Sequence, residues 1–162
     1  MKFARQVSHV LDTEHRANLE LLARIEQALA RPQRAAADPD FARLAATFAR
    51  IVEQDIGRHF DFEEQQLFPR MADAGEGDIA SLLQEEHDSI REVAAEVLPL
   101  ARAAAAGTLD DAGFEALRRC ALELVERQVA HIQKETMALL PLLDDLLDDE
   151  LDRSLAFEYA AG

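Results

Sequence analysis

The chain has 162 residues, 49% of them hydrophobic, with six glycines and no tryptophan, which favours a single domain of helices packed on helices. Its 32 acidic and 17 basic residues give a formal charge of −15, so it lacks the basic surface that nucleic acid or an anionic membrane requires of a partner. Cys120 is the single cysteine, which rules out an internal disulfide and a thiolate metal site.

The start, Met1-Lys2-Phe3-Ala4-Arg5-Gln6, is polar and lacks the apolar run of a signal peptide. No stretch approaches the roughly 20 apolar residues of a membrane-spanning helix, and the expectation is a soluble, cytoplasmic protein. Helix A is expected from about residue 3 to Ala30, where Arg31-Pro32 and the polar stretch to Asp38 interrupt it. Asp38-Pro39 is a start signal for helix B: aspartate caps free N–H groups and proline suits the first helical position. Helix B continues past Pro69 to about Ala72, and Ala74-Gly75-Glu76-Gly77 ends it. Asp78 opens helix C, which stops at Gly107, and helix D runs from Asp110 or Asp111 to about Leu147. Pro99 and Pro141 should kink these helices locally. Short links between long helices imply antiparallel neighbours, so the expected fold is an all-α, up-down-up-down four-helix bundle of residues 1–147. Residues 148–162 carry Asp148, Asp149, Glu150 and Asp152 and then Leu155, Phe157 and Tyr159. They read as a short capping helix over the bundle end, with an acidic docking tail as the alternative.

One arrangement of metal-ligand residue types occurs twice at a fixed offset. His15, His59 and Glu63 recur 72 residues later as His87, His131 and Glu135, and Leu11, Glu14, Leu67 and Pro69 recur as Leu83, Glu86, Leu139 and Pro141. Unrelated core histidines have no reason to keep such a register. His59 with Glu63, and His131 with Glu135, each lie one turn apart on a shared helix face. With the four histidines at one level, the site lies roughly 20 Å from the end that carries the B–C link, at 1.5 Å rise per residue. Imidazole with carboxylate and no cysteine suits iron, manganese or zinc, and an open dinuclear geometry favours iron. Four histidines and two glutamates fit two metals, two histidines to each with both glutamates shared. A solvent-derived bridge would leave a position open for a small ligand, whereas a structural zinc would want a closed set of four ligands. Phe60, Phe62, Leu67, Leu139 and Leu140 would exclude bulk water.

The sequence resembles the hemerythrin-like (HHE cation-binding) family in Glu14-His15, in His59-Phe60-Asp61-Phe62-Glu63-Glu64 through Pro69, in Glu86-His87-Asp88, and in His131 through Pro141. The resemblance implies a four-helix bundle around two iron ions, a non-haem, oxo- or hydroxo-bridged di-iron centre held by His15, His59, Glu63, His87, His131 and Glu135. Oxygen-carrying members have a further histidine four residues after the helix C ligand, where this chain has Arg91, and the matching place on helix A is Leu19. Four histidines with two glutamates look more like members that act in iron-sulfur repair and nitric oxide response. The expected function is binding of a diatomic ligand, O2 or NO, for sensing, scavenging or stress protection. The alternatives are a redox enzyme or iron donor in repair of damaged iron-sulfur clusters, and an iron store or iron-occupancy sensor.

Around the ligands, Glu14, Glu64 and Glu86 point about 100° away and read as supports of the ligands or as surface. Asp55 either orients His59 or is solvated. Arg91 either gates the open position, anchors a neighbouring carboxylate or, most simply, lies on the surface. His9 reads as surface and Cys120 as a small core residue.

Overall fold

The computed structural model describes residues 3–162 and is helical, with no strand among them. Met1 and Lys2, part of the polar start, lie outside the described residues. Helix α1 spans Gln6–Leu29, and the stretch to Asp38 is not a plain link. Pro32–Ala37 form a short helix, α2, with Pro32 in its first turn and three alanines behind it, a proline start and helix-forming residues that outweigh the polar character of the segment.

The expected start at Asp38-Pro39 is present. The Asp38 side chain accepts the Asp40 N–H at 2.9 Å and opens α3 (Pro39–Gln54). The long second segment continues through a π-helical turn at Asp55–His59, α4 (Phe60–Phe62), a second π turn at Glu63–Leu67 and α5 (Phe68–Asp73). Gly75, with φ +89°, ends it, and Glu76 N–H returns to the Met71 carbonyl at 2.8 Å. Helix α6 (Gly77–Ala105) runs through Pro99 and closes the same way. Gly107 has φ +71°, and Thr108 N–H donates to the Ala103 carbonyl. Only glycine takes these left-handed positions without a steric cost.

Asp110 accepts the Gly113 N–H at 2.7 Å and starts α7 (Asp111–Lys134). A π turn at Glu135–Leu139, a 3-10 turn at Leu140–Leu142 and α8 (Leu143–Leu146) complete the fourth segment. The π turns at Glu63–Leu67 and Glu135–Leu139 each precede a proline by two residues, Pro69 and Pro141. Proline has no N–H to donate and its ring clashes with the carbonyl four residues back; a widened turn relieves both.

Packing joins α1 to α3, α3 to α6, α6 to α7, and α7 back to α1, so the four long segments close a ring. Two apolar clusters fill it. The larger includes Leu22, Ile25, Phe48, Val97, Leu117 and Leu124, with Cys120 buried among them. The smaller gathers Leu11, Leu67, Phe68, Met71, Leu83, Leu139 and Leu143 at the end that holds the Gly75 turn. Each fully buried Leu, Ile or Phe contributes about 1.5–3 kcal/mol. The polar layer described below lies between these clusters.

Helix α9 (Asp149–Ala161), capped by Asp148, packs on α1 at this smaller end. The first turn of α1 has no side-chain cap of its own at Arg5. Asp152 supplies one from across the chain, accepting the Gln6 N–H at 2.9 Å and the Val7 N–H at 3.0 Å. Among the described residues, no helix is long and apolar enough to cross a membrane.

Candidate metal centre

All six residues of the duplicated pattern are buried and meet in the polar layer. His15 comes from α1, His87 from α6 and His131 from α7. His59, Glu63 and Glu135 sit at ends of the π turns. They form two overlapping groups, His15–His59–Glu63–Glu135 and Glu63–His87–His131–Glu135, each with ligand atoms within 4.8 Å of one another. The glutamates belong to both. Glu63 places Oε2 3.3 Å from His59 Nε2 and Oε1 3.3 Å from His87 Nε2. Glu135 Oε1 lies 2.8 Å from His131 Nε2 and 3.5 Å from His15 Nε2.

Among the described residues, the four Nε2 atoms, both Glu63 oxygens and Glu135 Oε2 are buried without a hydrogen-bond partner. Such an atom costs roughly 1–3 kcal/mol, and seven converging on one place are not a protein core at rest. The donor set suits a cation: imidazole nitrogens and carboxylate oxygens directed into one buried space.

The outer nitrogens are all occupied. Nδ1 of His59 meets Glu14 at 2.9 Å, Nδ1 of His87 meets Glu64 at 2.7 Å, Nδ1 of His131 meets Glu86 at 2.8 Å, and Nδ1 of His15 meets the Thr136 hydroxyl at 3.3 Å. A carboxylate only accepts, so at His59, His87 and His131 Nδ1 carries a proton and Nε2 is turned to the centre as the metal-ligand atom. The glutamates are held in turn: Glu14 by the Tyr159 hydroxyl at 2.5 Å, Glu64 by Arg91 at 2.7 Å, and Glu86 by Lys134.

Arg91 is therefore not a plain surface arginine. Its side chain is 30% exposed, anchors Glu64 and lies over the Phe60 ring, which stacks on His87 at 3.7 Å. Asp55 is buried rather than solvated: Asn18 donates to it at 3.0 Å and Gln128 at 2.6 Å, and it stands 3.7 Å from His59 Nδ1. His9 is exposed. Thr136 was within reach of sequence reasoning, since it occupies the register place of Glu64. Asn18, Gln128, Lys134 and Tyr159 were not, because they have no counterpart in the repeat.

The charges follow from this packing. Burial drives the Glu63 carboxyl well above the ordinary carboxylate range, and neighbouring Glu135 pushes the same way. For Glu135, burial is outweighed by the charge of neighbouring His131, and it falls well below that range. Burial lowers His87 to about 4. Against burial, Glu63 and Glu14 raise His59, and Glu135 and Glu86 raise His131. Glu14, Glu64 and Glu86 resist burial and stay below the usual range through their partners: His59 and Tyr159, Arg91 and His87, Lys134 and His131 respectively.

Residues 6–143 match the family model of the hemerythrin HHE cation binding domain. No curated protein matches the chain.

Proposed function

We propose that this chain, which belongs to the hemerythrin HHE cation-binding family, is a non-haem di-iron protein that binds a diatomic gas, O2 or NO, in sensing, scavenging or stress protection. The observation that carries the proposal is the sharing of Glu63 and Glu135 between the two histidine pairs. In this reading His15 and His59 hold one ion, His87 and His131 hold the other, and both glutamates serve the two. Every unpartnered atom of the cluster then has a use. Histidine with carboxylate and no cysteine favours iron over zinc, whose structural sites are closed four-ligand sets.

Two iron ions, when bound, supply electrons and an open coordination position for a small ligand. The chain's own residues orient and protect that position. Glu14, Glu64 and Glu86 fix the imidazole rings through Nδ1. Phe60, Phe62, Leu67, Leu139 and Leu140 are buried around the cluster and exclude bulk water. We read the ring of long segments, joined by short links, as an antiparallel up-down-up-down bundle of residues 1–147 closed at one end by residues 148–162. A lone cysteine fits a reducing, cytoplasmic setting.

The test is the optical spectrum of iron-loaded protein, reduced without air and then given O2 or NO. A charge-transfer band that appears with the gas and vanishes on degassing is expected. Prompt irreversible conversion to a ferric spectrum would instead favour redox turnover. His59→Ala and His131→Ala should each bind fewer than two irons per chain; full occupancy in both variants would remove these residues from the site.

A further inference from the structure

The two halves of the cluster are not alike, and the difference lies outside the ligands. Glu64 follows Glu63, and its place 72 residues on is Thr136, which follows Glu135. Glu64 accepts from His87 Nδ1 at 2.7 Å, whereas Thr136 offers His15 Nδ1 a neutral hydroxyl at 3.3 Å. The residue behind Glu64 changes as well. Arg91 grips Glu64 at 2.7 Å, and its register partner on α1 is Leu19, which is partly buried against the larger apolar cluster. The clamp of arginine, glutamate and histidine around His87 is thus replaced, in both outer members, by leucine and threonine around His15. The remaining histidines differ little: His59 and His131 meet Glu14 and Glu86 at 2.9 and 2.8 Å. Asp55 adds a carboxylate near His59, but its oxygens are taken by Asn18 and Gln128.

An anionic partner on the outer nitrogen raises the basicity of a ligating imidazole and locks its ring; losing one typically costs about 10–100-fold in metal affinity. We infer that the two metal positions are unequal, with the ion held by His15 and His59 the labile one and the ion held by His87 and His131 the retained one. Thr136 and Leu19 are positioning residues in this account: they act through His15 and touch no metal. The inference rests on the dinuclear reading above.

The experiment follows Fe(II) release, without air, from protein loaded with Fe(II) into excess chromogenic ferrous chelator, after the starting iron content has been measured. Two phases of one iron each are expected, separated by about tenfold or more in rate. Glu64→Thr should bring the slow phase to the fast rate. Thr136→Glu, or Thr136→Glu with Leu19→Arg to rebuild the whole clamp, should slow the fast phase toward the other. Two irons leaving in a single phase overturn the inequality, and two phases that none of these variants moves overturn its assignment to Glu64, Thr136 and Leu19; either result leaves the dinuclear reading standing. A starting content below two irons per chain overturns the dinuclear reading itself, and the inference with it.

Discussion

Each histidine of the cluster is used at both nitrogens, Nε2 turned inward and Nδ1 satisfied from outside. A buried imidazole with one free nitrogen and one fixed proton is a prepared ligand, and the preparation lies in the outer partner as much as in the ring. Glu86→Ala tests this away from the ligands. It should lower Fe(II) affinity by about 10–100-fold in a competition titration while the protein stays folded; unchanged affinity would make Glu86 a surface charge that only meets Lys134. The six candidate ligands were legible because the 72-residue register repeats residue type and spacing together. Glu14 and Glu86 share that register, but helix geometry alone left them between support and surface. Deciding between the two required knowing that each glutamate reaches a histidine of the neighbouring helix, 45 residues along the chain.

At the scale of elements, local chemistry was legible and long-range chemistry was not. Asp38-Pro39 and Gly107 mark their helix ends as the residues themselves dictate. The π turns before Pro69 and Pro141 could not be read from periodicity, because a helix can answer an internal proline by kinking, ending or widening. Helix α2 was missed because a polar segment that begins with proline looks like a link until its alanines are weighed. Asp152 as the cap of α1 was beyond sequence reasoning, since donor and acceptor are 145 residues apart. Its removal has a definite expectation: Asp152→Ala leaves the Gln6 N–H and the buried Val7 N–H at the α1 terminus without their acceptor. The loss should be about 1–2 kcal/mol, a fall in Tm of roughly 2–8 °C, with iron content unchanged. A fall in iron content with Tm unchanged would instead tie α9 to the metal centre rather than to the stability of α1.

Over the whole molecule, the polar layer divides one apolar core into two clusters, and ligands from all four long segments meet within it. Seven inward atoms have no hydrogen-bond partner among the described residues, so on the proposed reading ion binding should stabilise the fold. A ligand at about 100 times its Kd adds about 2.7 kcal/mol. For a chain of this size, two tightly held ions should therefore raise Tm by on the order of 10 °C or more. Thermal denaturation with and without chelator measures this directly; identical melting curves would mean that the cluster holds no ion of consequence to the fold.

The central claim, two ions sharing two glutamates, is tested most directly by an anomalous difference map at the iron edge from crystals of Fe(II)-loaded protein. The account predicts two peaks, one beside His15 and His59 and one beside His87 and His131, both in contact with Glu63 and Glu135. A single peak, or iron located away from these six residues, would contradict it.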